Sequence, residues 1–134
     1  MLPLDQHEVT FRVRYSETDP MGFVHHAQYF SYFEVGRMEL FRAQGGDYRE
    51  MEARGYLMVV VHVECDFKKP ARFDDLLMLK TRVLKLSPAK LEHEYVLTRE
   101  RDLLARARSV LACIDRSGTV QRITPDVLFG RVTA

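Results

Sequence analysis

Asp19 and the adjacent pair His25-His26 are the residues of this chain best equipped for chemistry. They lie in the run Tyr15-Ser16-Glu17-Thr18-Asp19-Pro20-Met21-Gly22-Phe23-Val24-His25-His26-Ala27-Gln28-Tyr29, a polar, acid-bearing loop with a turn glycine. A carboxylate held beside the positive end of a buried helix is suited to attack on a carbonyl. The first amides of a helix have no partner within it, and together they carry about half a positive charge. One such donor aimed at a developing oxyanion is worth about 3–4 kcal/mol. The plainer reading of Asp19 is turn chemistry, since Asp before Pro-x-Gly orders a turn well. Spacing alone leaves both readings open. A metal site is disfavoured, because adjacent histidines point in different directions and no third ligand follows at a convincing spacing. Cys65 and Cys113 lie in apolar runs without C-x-x-C or Cys/His spacing, which reads as buried free thiols in a reducing compartment. Neither has the exposed, electropositive setting of a nucleophilic cysteine.

The elements around this loop follow from hydrophobic period. Val9, Phe11, Val13 and Tyr15 alternate with polar residues, predicting a half-buried strand. Pro20 and Gly22 predict a turn after it. From Ala27 to Gln44 the period lengthens. Tyr29, Phe33, Gly36, Leu40 and Ala43 recur at helical spacing with Phe30, Arg37 and Phe41 beside them, predicting a wide apolar surface and a mostly buried helix. Gly36 inside it costs about 1 kcal/mol relative to alanine, which close approach to a strand would offset. Gly45-Gly46 is a helix stop. Asp47 to Arg54 adds a turn or two of helix before Gly55. Strands are expected over Met58–Phe67, Leu76–Leu86, Lys90–Arg101, Leu103–Asp115 and Val120–Ile123, with a short helical turn at Val127-Leu128-Phe129. One long helix against consecutive, antiparallel strands is an α+β layout of five or six strands. One helix covers such a sheet only in part, so self-association is expected.

Length and charge set the bounds. The 134 residues fit one domain, 1–134, with no internal repeat or linker. A net charge of +1 argues against general nucleic-acid binding. The N-terminal stretch Met1 to His7 has neither a basic start nor an apolar core of a secretory signal, and no uncharged apolar run is long enough to span a membrane. A soluble, cytoplasmic protein is expected.

The run Arg14 to Tyr29, followed by Phe33-Glu34-Val35-Gly36-Arg37 and later by Lys69-Pro70-Ala71-Arg72-Phe73-Asp74-Asp75-Leu76, resembles hotdog-fold acyl-CoA thioesterases of the 4-hydroxybenzoyl-CoA thioesterase type. The likeness covers nearly the whole chain. It implies a sheet wrapped around a long central helix, dimers with a continuous sheet that pair into tetramers, and active sites at the dimer interface. It implies acyl-CoA as substrate and calls for no cofactor. Asp19 would be the catalytic nucleophile or the base toward water, and the backbone N–H of His26 would bind the thioester oxygen. Thiolate leaves readily, so one carboxylate and one donor suffice in principle. Gly22, Val24, His25 and Tyr29 of the same motif are candidate substrate contacts. Arg72, Lys85 and Lys90 are candidates for the coenzyme A phosphates.

Two departures from the resemblance matter. His25 stands where relatives commonly carry an aromatic, and Glu17 stands where Asp is frequent. Glu17 is expected to face solvent or brace the loop, without a catalytic role. Glu34 and Arg37, at i and i+3, are expected to pair on the helix. Glu64 is expected to be structural or partly exposed. Two other readings remain: a non-catalytic acyl or CoA binder, and a thioesterase acting on acyl carrier protein.

Overall fold

The computed structural model describes residues 4–130; the first three residues of the N-terminal stretch read above lie outside the described residues. Alternating side chains form β1 (Gln6–Arg12), and a single 3-10 turn (Tyr15–Glu17) leads into the signature loop. The long helix α1 (His26–Ala43) and the short α2 (Tyr48–Ala53) follow. Four strands come next: β2 (Leu57–Phe67), β3 (Leu76–Leu86), β4 (Leu91–Arg99) and β5 (Asp102–Ile114). A two-residue β6 (Val120–Gln121) and the short α3 (Pro125–Phe129) complete the order.

The strands form one six-stranded antiparallel sheet in the order β1-β3-β4-β5-β2, with β6 beside β5. This is the α+β hotdog layout, with α1 lying in the curve of the sheet. Burial alternates along β4: Leu91, His93, Tyr95 and Leu97 are buried and their neighbours are part-exposed. The turn before β5 falls on Glu100 and Arg101, so β4 ends at Arg99, short of the expected Arg101, with Glu100 in the left-handed region at φ 56°. β6 is shorter than expected because Arg122 and Ile123 leave β5, and the Ile123 amide donates to the Pro88 carbonyl instead.

Gly36 explains how α1 lies so close. A Cβ built there would stand 2.4 Å from Thr81 Oγ1 and 2.6 Å from Leu79 Cδ2, so only glycine permits this approach to β3. Burial of α1 is narrower than its composition suggests. Tyr29, Tyr32, Phe33, Gly36 and Leu40 are buried on one face. Phe30 and Val35 remain 38% and 50% exposed, because within one chain the sheet meets only that one side of the helix.

The interior has two apolar lobes. Val24, Tyr29, Phe33, Leu79, Tyr95 and Leu97 belong to the lobe under the start of α1. Met51, Leu91, Leu111, Val127 and Leu128 belong to the lobe at its end, beside α2 and α3. A polar belt lies between them, where Tyr95 Oη and Ser109 Oγ are 2.5 Å apart and Arg37 Nη1 donates to Tyr95 Oη at 3.5 Å. The sheet also ends in an open edge. β2 pairs only with β5 among the described residues, has a bulge between Val60 and His62, and leaves Val60, Val61, Val63 and Phe67 exposed.

No helix among the described residues is long and apolar enough to cross a membrane. Among the described residues, no group of three or more His, Cys, Asp or Glu side chains is placed to hold a metal ion.

Candidate active site

Glu17 organises the signature loop. It is buried, and its carboxylate accepts from the Arg14 amide at 2.8 Å, from Arg14 Nε at 3.0 Å and from the Tyr32 hydroxyl at 2.8 Å. Burial by itself would raise this carboxyl group. The bonds from the Arg14 amide, the Tyr32 hydroxyl and the Arg14 guanidinium outweigh burial and hold Glu17 below the usual carboxylate range. Of the two expectations for Glu17, bracing the loop is the one the structure shows; exposure to solvent is ruled out by its contact with Tyr32.

Asp19 sits in the turn that follows. Its Oδ1 accepts from the amides of Met21 at 2.9 Å and Phe23 at 3.2 Å. Its backbone closes the turn, with Asp19 N–H on the Phe23 carbonyl and Gly22 N–H on the Asp19 carbonyl. Gly22 takes φ +83°, which is the reason for glycine at that position. The turn-ordering role of Asp19 is therefore real, and it uses only one carboxylate oxygen. Oδ2 has no hydrogen-bond partner among the described residues.

The start of α1 is fixed from both sides. The Val24 amide donates to the Ala71 carbonyl at 2.8 Å and the His25 amide to the Glu17 carbonyl at 3.0 Å. His25 is the N-cap: its Nδ1 accepts from the Ala27 amide at 3.1 Å, and its carbonyl accepts from the Gln28 amide at 2.9 Å. The His26 amide is thus the first-turn donor left without an acceptor among the described residues. The rings of His25 and His26 stack with centroids 4.3 Å apart.

Asp19, Val24, His26 and Tyr29 line one wall of an open cleft of about 370 Å³, and Phe67, Lys68, Lys69 and Pro70 line the other. Tyr29 is buried, accepts from the Ala71 amide at 3.4 Å, and meets the Phe67 ring edge-on at 5.0 Å. Burial pushes its hydroxyl up from the ordinary tyrosine value, so it stays protonated. Gly22 shapes the turn and His25 caps the helix; neither lines the cleft. Arg72 sits at the rim, its guanidinium 4.6 Å from the centre of the Phe23 ring, which also lines the cleft.

Lys85 and Lys90 are not brought to the cleft. Lys85 lies near the far end of β3, about 30 Å along the strand from the Arg72–Asp75 turn, and Lys90 lies in the turn beyond it. Sequence reasoning passed over Lys68 and Lys69. Both amides donate to the Leu104 carbonyl, which fixes them at the mouth. Lys69 is tied to Asp102 at 3.0 Å, whereas Lys68 has no ion-pair partner among the described residues. Their position directly before Pro70-Ala71-Arg72 was the available signal. Glu64 is exposed and pairs with Arg108 at 3.1 Å and with His62 at 3.2 Å, as expected of a structural residue. Burial pushes the Cys65 thiol up to about 11, which leaves it a poor nucleophile.

Known proteins resemble this chain in sequence and in fold. Residues 21–105 match the thioesterase superfamily. The chain is 33% identical to a putative esterase of Aquifex aeolicus over 87% of its length and 91% of that protein. It is 34% identical to the acyl-CoA thioesterase YbgC of Haemophilus influenzae over 78% of its length and 77% of that protein. A probable thioesterase of Bartonella henselae superposes with a TM-score of 0.84 at 33% identity, covering 89% of this chain and 99% of that one. Sequence match and shared architecture together establish that the chain belongs to the thioesterase superfamily.

Proposed function

We propose that this thioester hydrolase converts an acyl-CoA to a carboxylic acid and free coenzyme A, with Asp19 and the His26 amide as its catalytic groups. The observation that carries this reading is the meeting of a half-engaged carboxylate and an unused helix-start amide on one cleft. The His26 N–H would take the thioester oxygen, where the positive end of α1 adds to the stabilisation. Asp19 would then attack the carbonyl carbon or take a proton from an attacking water. Collapse of the adduct breaks the C–S bond, and the coenzyme leaves as a thiolate. When Asp19 has attacked, a water then cleaves the mixed anhydride to release the acid and restore the carboxylate; when water has attacked, the acid is released directly. No strong general acid is needed for that leaving group.

Arg72 and Lys68 stand at the mouth, where the phosphates of the coenzyme would lie. Lys85 and Lys90 reach a cleft only from another subunit. Phe67 and Lys68 close the cleft at the end of β2, whose edge is open, so a second copy docked along β2 would stand beside the site. A homodimer formed on that edge and paired into a homotetramer is the assembly this supports. Two free cysteines, one buried and one partly so, suit the reducing cytoplasm.

The deciding experiment is a panel of acyl-CoAs with thiol release as the signal, run on the parent and on Asp19→Asn. Hydrolysis abolished in the variant, with binding kept, is expected. Equal turnover by both would overturn the role of Asp19. Binding without thiol release by the parent would point to a non-catalytic acyl binder, and release only from acyl carrier protein would move the substrate. Single-turnover labelling with heavy-oxygen water separates attack by Asp19 from attack by water.

A further inference from the structure

A second cavity lies in the other lobe, between the C-terminal half of α1, α2, α3 and the sheet. Phe41, Met51, Met58, Leu111 and Leu128 make its walls. Its two chemically notable residues are Arg37 and His93. Thioester cleavage at Asp19 uses neither of them.

Arg37 is a cation in search of an anion. Its side chain is only 14% exposed, yet the nearest carboxylate, Glu34, is 3.9 Å away and itself 64% exposed. Its other contact is a long bond to the Tyr95 hydroxyl at 3.5 Å. A largely covered guanidinium without a close counter-ion is costly, and its planar fork is made for a carboxylate. The expected helix pair with Glu34 is thus present only loosely. His93 is 4% exposed, and its Nδ1 is buried with no hydrogen-bond partner among the described residues. Water in the cavity would satisfy the imidazole but would leave the guanidinium uncompensated.

We propose that this cavity is a second binding site, separate from the thioester cleft, for a short aliphatic monocarboxylate. The carboxylate sits on Arg37 with a ring N–H of His93 as a further donor, and the tail runs between Phe41, Met51, Met58 and Leu128. Size argues for a narrow chain. The void is about 50 Å³, room for a few waters or a short alkyl segment, whereas a ring such as benzene fills a cavity of about 150 Å³. Met38, Met51 and Met58 give the walls the play to follow a chain of slightly different length. A free acid of this kind is the product class of thioester hydrolysis, so the site would let product report on the enzyme at a distance from Asp19.

The test uses the full-length protein and propionate labelled at its carboxyl carbon, with propylamine as a probe of similar tail and opposite head. Saturable binding of propionate that moves the imidazole nitrogen signals of His93 is expected, unchanged in Asp19→Asn and weakened at least about tenfold in Arg37→Met. Propylamine should not compete. Arg37→Lys, which keeps the charge and loses the fork, should bind at an intermediate level and serves if the methionine variant does not fold. The proposal is overturned if propionate leaves the His93 signals unmoved, if propylamine binds equally well, or if binding survives both Arg37 variants undiminished. Binding lost in Asp19→Asn alone would assign the acid to the cleft and equally sink the second site. None of these results bears on whether Asp19 cleaves thioesters.

Discussion

The Tyr32 hydroxyl donates to Glu17 Oε1 at 2.8 Å, joining the second turn of α1 to the loop that carries Asp19. Through this bond the helix that presents the His26 amide and the turn that presents the carboxylate share one anchor. The bond is buried and charge-assisted, a class worth about 1.5–3 kcal/mol. Tyr32→Phe keeps the ring packed against Phe11 and removes only the donor. A loss of stability of that size is expected by denaturant titration, with a fall in kcat larger than the change in KM. A variant as active and as stable as the parent would show that Arg14 and Gln28 hold Glu17 without Tyr32.

The oxyanion donor assigned to position 26 belongs to the main chain, so the side chain there is dispensable. His26 is the first residue of α1, the position where proline is best tolerated, and His25 before it already has the extended backbone proline requires, at φ −61° and ψ 137°. His26→Pro therefore deletes one N–H with the helix kept. Turnover should fall by about a hundredfold or more while circular dichroism stays unchanged. His26→Ala should retain most of the activity. If the alanine variant is as damaged as the proline variant, the imidazole takes part in the chemistry.

Gly36→Ala should destabilise the protein although alanine is the better helix former by about 1 kcal/mol. The new methyl meets the fully buried side chains of Thr81 and Leu79, so one of them must shift. Overpacking of this kind costs about 1–3 kcal/mol. Thr81→Ala in the same chain should recover part of the loss, since it removes the nearest atom. Thermal midpoints of the single and double variants give the answer.

His93 sets a pH dependence of stability. Burial, with a smaller contribution from Arg37, lowers its pKa to about 3 from the ordinary 6.5. Below 6.5 the unfolded chain takes up a proton that the folded chain refuses until about pH 3. Stability is therefore complete above 6.5 and falls as pH drops through that window, by an amount on the order of 5 kcal/mol. Glu17, Glu64, Asp102 and Asp115 are shifted down and act only below the ordinary carboxylate range. The slope between about pH 6.5 and 4.5 should thus vanish in His93→Leu. Urea midpoints across that range measure it, and a slope unchanged by the substitution would remove His93 as its source.

Much of this was legible in the chain because periodicity reports directly on burial. Tyr29, Phe33, Gly36 and Leu40 announced the buried face of α1, and the alternation from Leu91 to Leu97 announced the inner face of β4. What failed to show was set by partners distant in sequence. Glu17 is polar and lies in a loop, and its burial depends on Tyr32, 15 residues further along the chain. Lys68 reaches the cleft because the β2–β5 register places it opposite Leu104. Lys85 and Lys90 have the right charge, but the length of β3 carries them away. The exposure of Phe30 and Val35 reflects how little of a helix one sheet can cover.

The belt of Arg37, Tyr95 and Ser109 has a mechanical consequence. Polar groups set across the middle of the molecule, with Tyr95 and Ser109 bonded to each other, divide its two oily halves, so the halves need not melt as one. α2 and α3 are tied together where Arg54 donates to the Asp126 and Val127 carbonyls, and they should open as one unit while the reactive end holds its shape. Amide exchange should register this as two populations of protection, the faster confined to residues 48–53 and 125–129.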